Sequence, residues 1–248
     1  MEQPTPGTKE LFEIGQSALL DDDARKQFHT TVAHLLYLLK RVRPDIVTVV
    51  AFLCTRVKSP TVEDQQKLER LLGYFETYQR VEMSLEPQGV FSVVADVDAS
   101  FAIHADSKSQ TGCVIFVAGV PVYCSSKKQK CMTKSPTEAE LVGLSDSLSF
   151  VEIFAEFLAF VIDQKTRPPV IYQDNTSVIS LVTKGGGINR TKHLRARMNL
   201  VGEAVRERGL KVLYMPTEDM IADGFTKVLE GVQFGSFAKI VLGKRKCG

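Results

Sequence analysis

The chain has 248 residues, 44% apolar and 24% charged, with a formal net charge of +2. These are the proportions of an ordinary soluble protein with ample core for one large or two small domains. They exclude a strongly basic body, so any nucleic-acid role must rest on local clusters. The five cysteines (Cys54, Cys113, Cys124, Cys131, Cys247) form no C-x-x-C pair. Reduced thiols are therefore expected, and neither a zinc knuckle nor a disulfide framework.

The opening Met1-Glu2-Gln3-Pro4 is polar and acidic, unlike a secretory signal. Neither Ile46 to Cys54 nor Phe150 to Ile162 suits a membrane span: the first is too short, and Glu152 and Glu156 interrupt the second. An intracellular protein is expected, cytoplasmic or nuclear, with no membrane partner.

From about Asp22 to Tyr78 the pattern is helical. Val32, Leu35, Leu36, Leu38 and Leu39 form an apolar stripe that ends at Arg41-Val42-Arg43-Pro44. Pro44 opens a second helix through Val47, Val50 and Phe52. Thr61 can cap a third, with Leu68, Leu71, Leu72 and Phe75 on one face. No cluster of His, Cys or carboxylate marks a site on this unit, and Asp21-Asp22-Asp23 reads as a polar loop before the first helix.

The second half begins near Gly89. Phe91, Val93, Ala95 and Val97 alternate along a strand, and two more strands flank an Ala118-Gly119 turn. A long helix runs from Pro136 to Asp163. A short buried strand (Val170 to Tyr172), a helix after Asn175, a helix from Thr191 to Arg208, a strand from Leu210 to Met215 and short closing helices follow. The order β-β-β-α-β-α-α-β-α predicts an α/β fold with a mixed sheet and helices on its faces. Gly185-Gly186-Gly187 lacks the following Lys-Ser/Thr of a phosphate loop and reads as a plain hinge.

Four carboxylates stand out. Ser135-Pro136-Thr137-Glu138 fits a capping box in which Glu138 turns back onto Ser135, leaving Glu140 free beside the stripe of Leu144 and Val151. A surface glutamate favoured by the helix dipole is the plain alternative. Asp98 closes an apolar strand, and Asp96 shares its face; buried carboxylates need a partner or a cation. Asp174 ends a strand, where open α/β sheets bind ligands, but it can equally cap the next helix beside Asn175. Spacing alone does not choose between Asp223 and Asp219, which lie one turn apart.

These residues resemble the ribonuclease H domain of copia-type LTR retrotransposons. The likeness runs through Asp98-Ala99-Ser100, Ser107-Lys108-Ser109-Gln110-Thr111-Gly112, Ser126-Lys127-Lys128-Gln129-Lys130, Thr137-Glu138-Ala139-Glu140-Leu141, Asp174-Asn175, Arg190-Thr191-Lys192-His193, and Ile221-Ala222-Asp223 with Thr226-Lys227. Phe28-His29, Leu35-Leu36-Tyr37-Leu38 and Arg43-Pro44-Asp45-Ile46 resemble the segment that precedes this domain in those polyproteins. The resemblance implies a helical reverse-transcriptase connection segment over 1–85 and a ribonuclease H-like domain over 86–248, with a mixed five-stranded sheet.

It also implies an Asp-Glu-Asp-Asp cluster of Asp98, Glu140, Asp174 and Asp223 that holds Mg²⁺ or Mn²⁺ and hydrolyses the RNA strand of an RNA–DNA hybrid. It selects Asp98 over Asp96 and Asp223 over Asp219. Lys127, Lys128, Arg190, Lys192 and His193 are the phosphate-contact candidates, with Lys130, Arg195 and Arg197 beside them. A polymerase or other polyprotein parts are the implied protein partners. Three features depart from the family pattern: no Tyr-x-Asp-Asp polymerase signature occurs, Phe101 replaces the usual Trp, and Asn199 replaces a downstream His. A catalytically silent module that binds nucleic acid or a partner is the alternative function.

Overall fold

The computed structural model describes residues 3–87, 89–163, 166–184 and 192–244. The triple glycine, Arg190, Thr191 and Cys247 lie outside these residues. Three helices open the chain: α1 (Asp22–Leu39), α2 (Val47–Cys54) and α3 (Val62–Thr77). Asp21 caps α1 by accepting from the N–H groups of Asp23 and Ala24. The acidic triplet is therefore a cap and first turn, and only its first residue lies outside the helix. Pro44–Ile46 forms a 3₁₀ turn into α2, and Thr61 and Asp64 close a full capping box on α3.

Strands β1 (Val93–Ser100), β2 (Gln110–Val117) and β3 (Val120–Lys128) follow, then α4 (Pro136–Ile162), β4 (Val170–Gln173), α5 (Thr176–Lys184), α6 (Lys192–Glu207), β5 (Lys211–Tyr214) and α7 (Gly231–Val241). The sheet order is β3-β2-β1-β4-β5. β1 pairs with β2 antiparallel and with β4 parallel, and β4 pairs with β5 parallel. This is the ribonuclease H-like mixed five-stranded sheet, with helices on both faces and a helical unit before it. Ala118 (φ 50°) and Gly119 (φ 78°) make the tight β2–β3 hairpin, both in the left-handed region that right-handed strand twist favours.

Strand alternation divides the core. Val93, Ala95 and Val97 of β1 and Cys113 and Ile115 of β2 pack against Leu141, Leu144, Leu148 and Val151 of α4. The other face sends Val114 and Phe116 of β2 into a second core, shared with Phe28, Leu35, Phe52, Leu53 and Leu71 of the opening helices and Phe234 and Phe237 of α7. The opening helices thus pack against the sheet. Among the described residues no helix is long and apolar enough to cross a membrane.

Arg43 and Asp45 anchor the opening unit. Arg43 Nε donates to Asp45 Oδ1 at 2.9 Å and its Nη2 to Oδ2 at 2.8 Å, both side chains are buried, and Tyr74 Oη adds a third donor at 2.8 Å. The Arg43 guanidinium also lies over the Phe75 ring at 4.2 Å. Removing one member leaves the other charge buried without compensation. Arg43→Met is expected to destabilise the fold by about 3–5 kcal/mol, measured as the shift in a urea midpoint at constant slope.

Candidate metal centre

The four acids arrive from four elements. Asp98 lies near the end of β1, Glu140 in the first turns of α4, Asp174 just beyond β4, and Asp223 in a 3₁₀ turn, Ile221–Phe225, where the sequence predicts a helix start. Asp98, Glu140 and Asp174 each offer one carboxylate oxygen such that all three lie within 4.8 Å of one another. Asp98 is 3% exposed and Glu140 5%. The surface-glutamate alternative for Glu140 is therefore wrong. Helix α4 is apolar on several sides here, so its first turns sink against the sheet and carry the acid with them.

Neighbouring groups hold each acid in place. The Ser135 side chain accepts from the Glu138 N–H, and Glu138 turns back as expected, but onto the N–H of Lys134 at 2.8 Å and not of Ser135. Glu140 stays free of the cap. It instead accepts from Gln173 Nε2 at 2.7 Å. Gln129 Nε2 donates to both Thr111 Oγ1 (2.9 Å) and the Ala139 carbonyl (2.8 Å), fixing the start of α4 on β2 beside Glu140. Asn175 Oδ1 caps α5 by accepting from Ser177 and Val178, so Asp174 is not the cap. Asp174 Oδ2 accepts from Thr217 Oγ1 at 2.9 Å, and Asp98 from the Thr226 hydroxyl.

Asp96 is buried too, but it stands two residues back on β1 and is not in the three-acid cluster; Asp219 is exposed. Asp223 lies outside the cluster as well. Its Oδ1 pairs with Lys227 Nζ at 2.8 Å, one helical turn on, and its charge acts on Asp98. Sequence reasoning did not assign roles to Thr226, Gln173, Thr217 or Lys227. For Thr226 and Lys227 a signal existed, their place in the Ile221–Lys227 block. For Gln173 it was adjacency to Asp174.

The electrostatics follow from burial and like charge. Desolvation first, then the charges of Asp98 and Asp174, push Glu140 up to about 9. Desolvation, then Asp223 and Asp174, push Asp98 up to about 6, against the opposing Thr226 hydrogen bond. Three oxygen donors pack closely here, two of them on buried side chains, and Lys227, itself paired with Asp223, balances only part of their charge. A hard divalent cation such as Mg²⁺ or Mn²⁺ fits that donor set, and Zn²⁺, which prefers nitrogen and sulfur, fits it less well.

The last acid depends on one glycine. Gly112 pairs with Asp98 across β1–β2, and a Cβ there would stand 2.6 Å from the Ala222 carbonyl oxygen and 2.8 Å from Phe225 Cβ. Gly112→Ala is expected to lift the Ile221–Phe225 turn and lower stability by about 1–3 kcal/mol, checked by thermal melting.

The basic candidates separate. Lys127 and Lys128 border an open groove of about 780 Å³ between β2–β3, α4 and α6, with Lys130 and Arg197 also on its walls. Tyr123 and Phe150 stack within it at 4.7 Å, with Lys127 Nζ 4.9 Å above Phe150. Lys128 is tied to Asp106 at 2.8 Å, and Arg197 to Asp146. Lys192 and His193 are exposed at the start of α6; Arg190 lies outside the described residues.

Comparison with known proteins places this geometry. No protein-family profile matches the chain. It is 32% identical over 213 residues to the retrovirus-related Pol polyprotein from transposon RE1 of Arabidopsis thaliana, covering 86% of this chain and 14% of that polyprotein. It is 28% identical over 213 residues to the corresponding polyprotein from transposon TNT 1-94 of Nicotiana tabacum, covering 85% of this chain and 16% of that one. The foamy viral protease-reverse transcriptase, solved in complex with dsDNA, superposes with a TM-score of 0.51 at 14% identity over 84% of this chain and 40% of that chain. The chain thus spans only a small part of its relatives, 14% of the RE1 polyprotein. Over 86% of its length it is a relative of the retrovirus-related Pol polyproteins of copia-type transposons.

Proposed function

We propose that this chain is the ribonuclease H module of a retrotransposon polyprotein, hydrolysing the RNA strand of RNA–DNA hybrids with Mg²⁺ or Mn²⁺. The observation that carries the reading is the convergence of Asp98 and Glu140, both buried, and half-buried Asp174, from three separate elements, onto one spot with oxygens within 4.8 Å. Burial of clustered like charge is unfavourable without a cation, so such a site is maintained for one. Asp98, Glu140, Asp174 and Asp223 would hold the metal. When bound, the metal would activate the attacking water and stabilise the leaving 3′ oxygen.

The chain's own groups do the positioning. Gln173 turns the Glu140 carboxylate, Thr217 that of Asp174, and Thr226 that of Asp98. Residues 1–85 are read as the connection segment of a reverse transcriptase and 86–248 as the nuclease domain. Lys127, Lys128, Lys192 and His193, with Arg190, are the proposed hybrid contacts. The groove with its stacked aromatic pair supports the first two, since a backbone-tracking basic surface suits a substrate recognised by shape.

The test is cleavage of labelled RNA–DNA hybrid in Mg²⁺ and in Ca²⁺, by the chain and by Asp174→Asn. Cutting confined to the hybrid, dependent on Mg²⁺ and lost in the variant, is expected. Absence of cutting under any metal would leave a silent binding module. Cutting of duplex DNA would point to an integrase-like nuclease.

A further inference from the structure

The turn that carries Asp223 is short, and its internal backbone bonds centre on Asp223, whose N–H donates to the Met220 carbonyl and whose own carbonyl accepts from the N–H groups of Thr226 and Lys227. Ile221–Phe225 is a single 3₁₀ segment of 5 residues, and its last two carbonyls are taken by groups distant in sequence. The Phe225 carbonyl accepts from Ser126 Oγ on β3 at 2.5 Å. Ser126 accepts from Gln110 Nε2 at 2.7 Å, and Gln110 Oε1 meets His104 Nε2 at 2.7 Å. The Gly224 carbonyl accepts from Thr48 Oγ1 at 2.6 Å. Thr48 is buried on α2, in the opening helical unit, 176 residues earlier. Gly224 is closed in on its other side, where an added Cβ would run into the Phe237 ring.

Two consecutive carbonyls are thus clamped, one by the sheet and one by the opening helices. A hydrogen bond to a carbonyl is directional and fixes the plane of that peptide. For Thr48 that peptide, Gly224–Phe225, lies one peptide unit beyond Asp223, whose own carbonyl accepts from the N–H groups of Thr226 and Lys227, so the Thr48 bond anchors the end of the turn on which Asp223 stands. Thr226, two residues on, reaches Asp98.

We infer that Thr48 is a positioning residue for the acidic site, through which the opening helical unit aims Asp223 at the cation. This rests on the reading of Asp223 as a ligand given above. The helical unit is then part of the working site and more than a connector. The metal set is completed only when α2 is docked on the Ile221–Phe225 turn.

The experiment is a calorimetric Mn²⁺ titration of the full chain, without substrate, for the unsubstituted protein, Thr48→Val, Thr48→Ser, Asp223→Asn and Thr48→Val/Asp223→Asn. Removing an outer hydrogen-bond partner of a metal site typically weakens affinity by about 10–100-fold. Thr48→Val is expected to weaken Mn²⁺ binding by about tenfold, and Thr48→Ser, which keeps the hydroxyl, to restore it. In the Asp223→Asn background Thr48→Val should add no further loss, because the carboxylate it aims is gone. Mn²⁺ affinity unchanged in Thr48→Val, or a loss that adds in full to that of Asp223→Asn, would overturn the inference. If Asp223→Asn itself binds Mn²⁺ as the unsubstituted chain does, the assignment of Asp223 to the metal falls, and this inference with it. Should Thr48→Val fail to fold, Ser126→Ala removes the clamp on the adjacent carbonyl, and the same non-additivity with Asp223→Asn is required of it.

Discussion

Glu140→Gln is expected to abolish hybrid cleavage in Mg²⁺ while making the metal-free protein more stable. The substitution keeps the shape of the side chain, and the new amide carbonyl can still accept from Gln173 Nε2. It removes the charge that a cation would balance against. Loss of an outer partner already costs about 10–100-fold, so loss of a direct ligand should cost at least about 100-fold in rate. Stability moves the other way. Burial and the charges of Asp98 and Asp174 hold Glu140 up to about 9, so near neutrality the metal-free fold must keep a proton that the unfolded chain has given up. Gln carries no such requirement, and the gain near pH 7 is on the order of 3 kcal/mol, vanishing near pH 4, where the carboxyl is protonated in both states. A variant that cuts hybrid at the original rate would remove Glu140 from the metal set. A stability gain of equal size at both pH values would show that its charge is not strained.

Glu140 also illustrates what the sequence could reveal. Its freedom from the helix cap was legible, because Ser135, Pro136 and Glu138 occupy the cap positions by local spacing. Its burial was not, because an apolar helix such as α4 has no sharp face to say how deep the first turns sit. That the sheet is mixed followed from alternation, the hairpin turn and helix-length crossovers, all of which are local; the place of each strand in the sheet did not. Asp98 and Asp96 share a face by alternation, but alternation does not say which of the two reaches the end of the sheet where Glu140 and Asp174 meet. The family resemblance made that choice, and the three-acid cluster contains Asp98 and not Asp96. Thr48, Ser126 and Gln173 leave no periodic trace. Their partners are 176, 99 and 33 residues away, so only the closed fold brings the groups together.

The acidic cluster should also couple stability, pH and metal. For both Asp98 and Glu140 the folded value lies above the unfolded one. Their contribution is therefore fully present below about pH 4 and is lost as pH rises, through about 6 for Asp98 and about 9 for Glu140, as the unfolded chain releases protons the fold must retain. Buried His104, held below its usual value by desolvation, works in the opposite sense at the acid end of this range, because the unfolded chain takes up a proton there first. In a chelator, melting temperature is thus expected to fall from about pH 6.5 to 9, and Glu140→Gln to flatten most of that fall. A divalent cation that bound the ionised cluster in the fold alone would contribute about 2.7 kcal/mol at a hundredfold excess over its dissociation constant. At low pH it must first displace protons, so the stabilisation by Mg²⁺ or Mn²⁺ should grow with pH. Melting curves at stepped pH, with chelator and with Mn²⁺, measure both slopes. A Mn²⁺ increment that is constant across pH, or that persists in Asp98→Asn, would place the bound ion somewhere other than among these carboxylates.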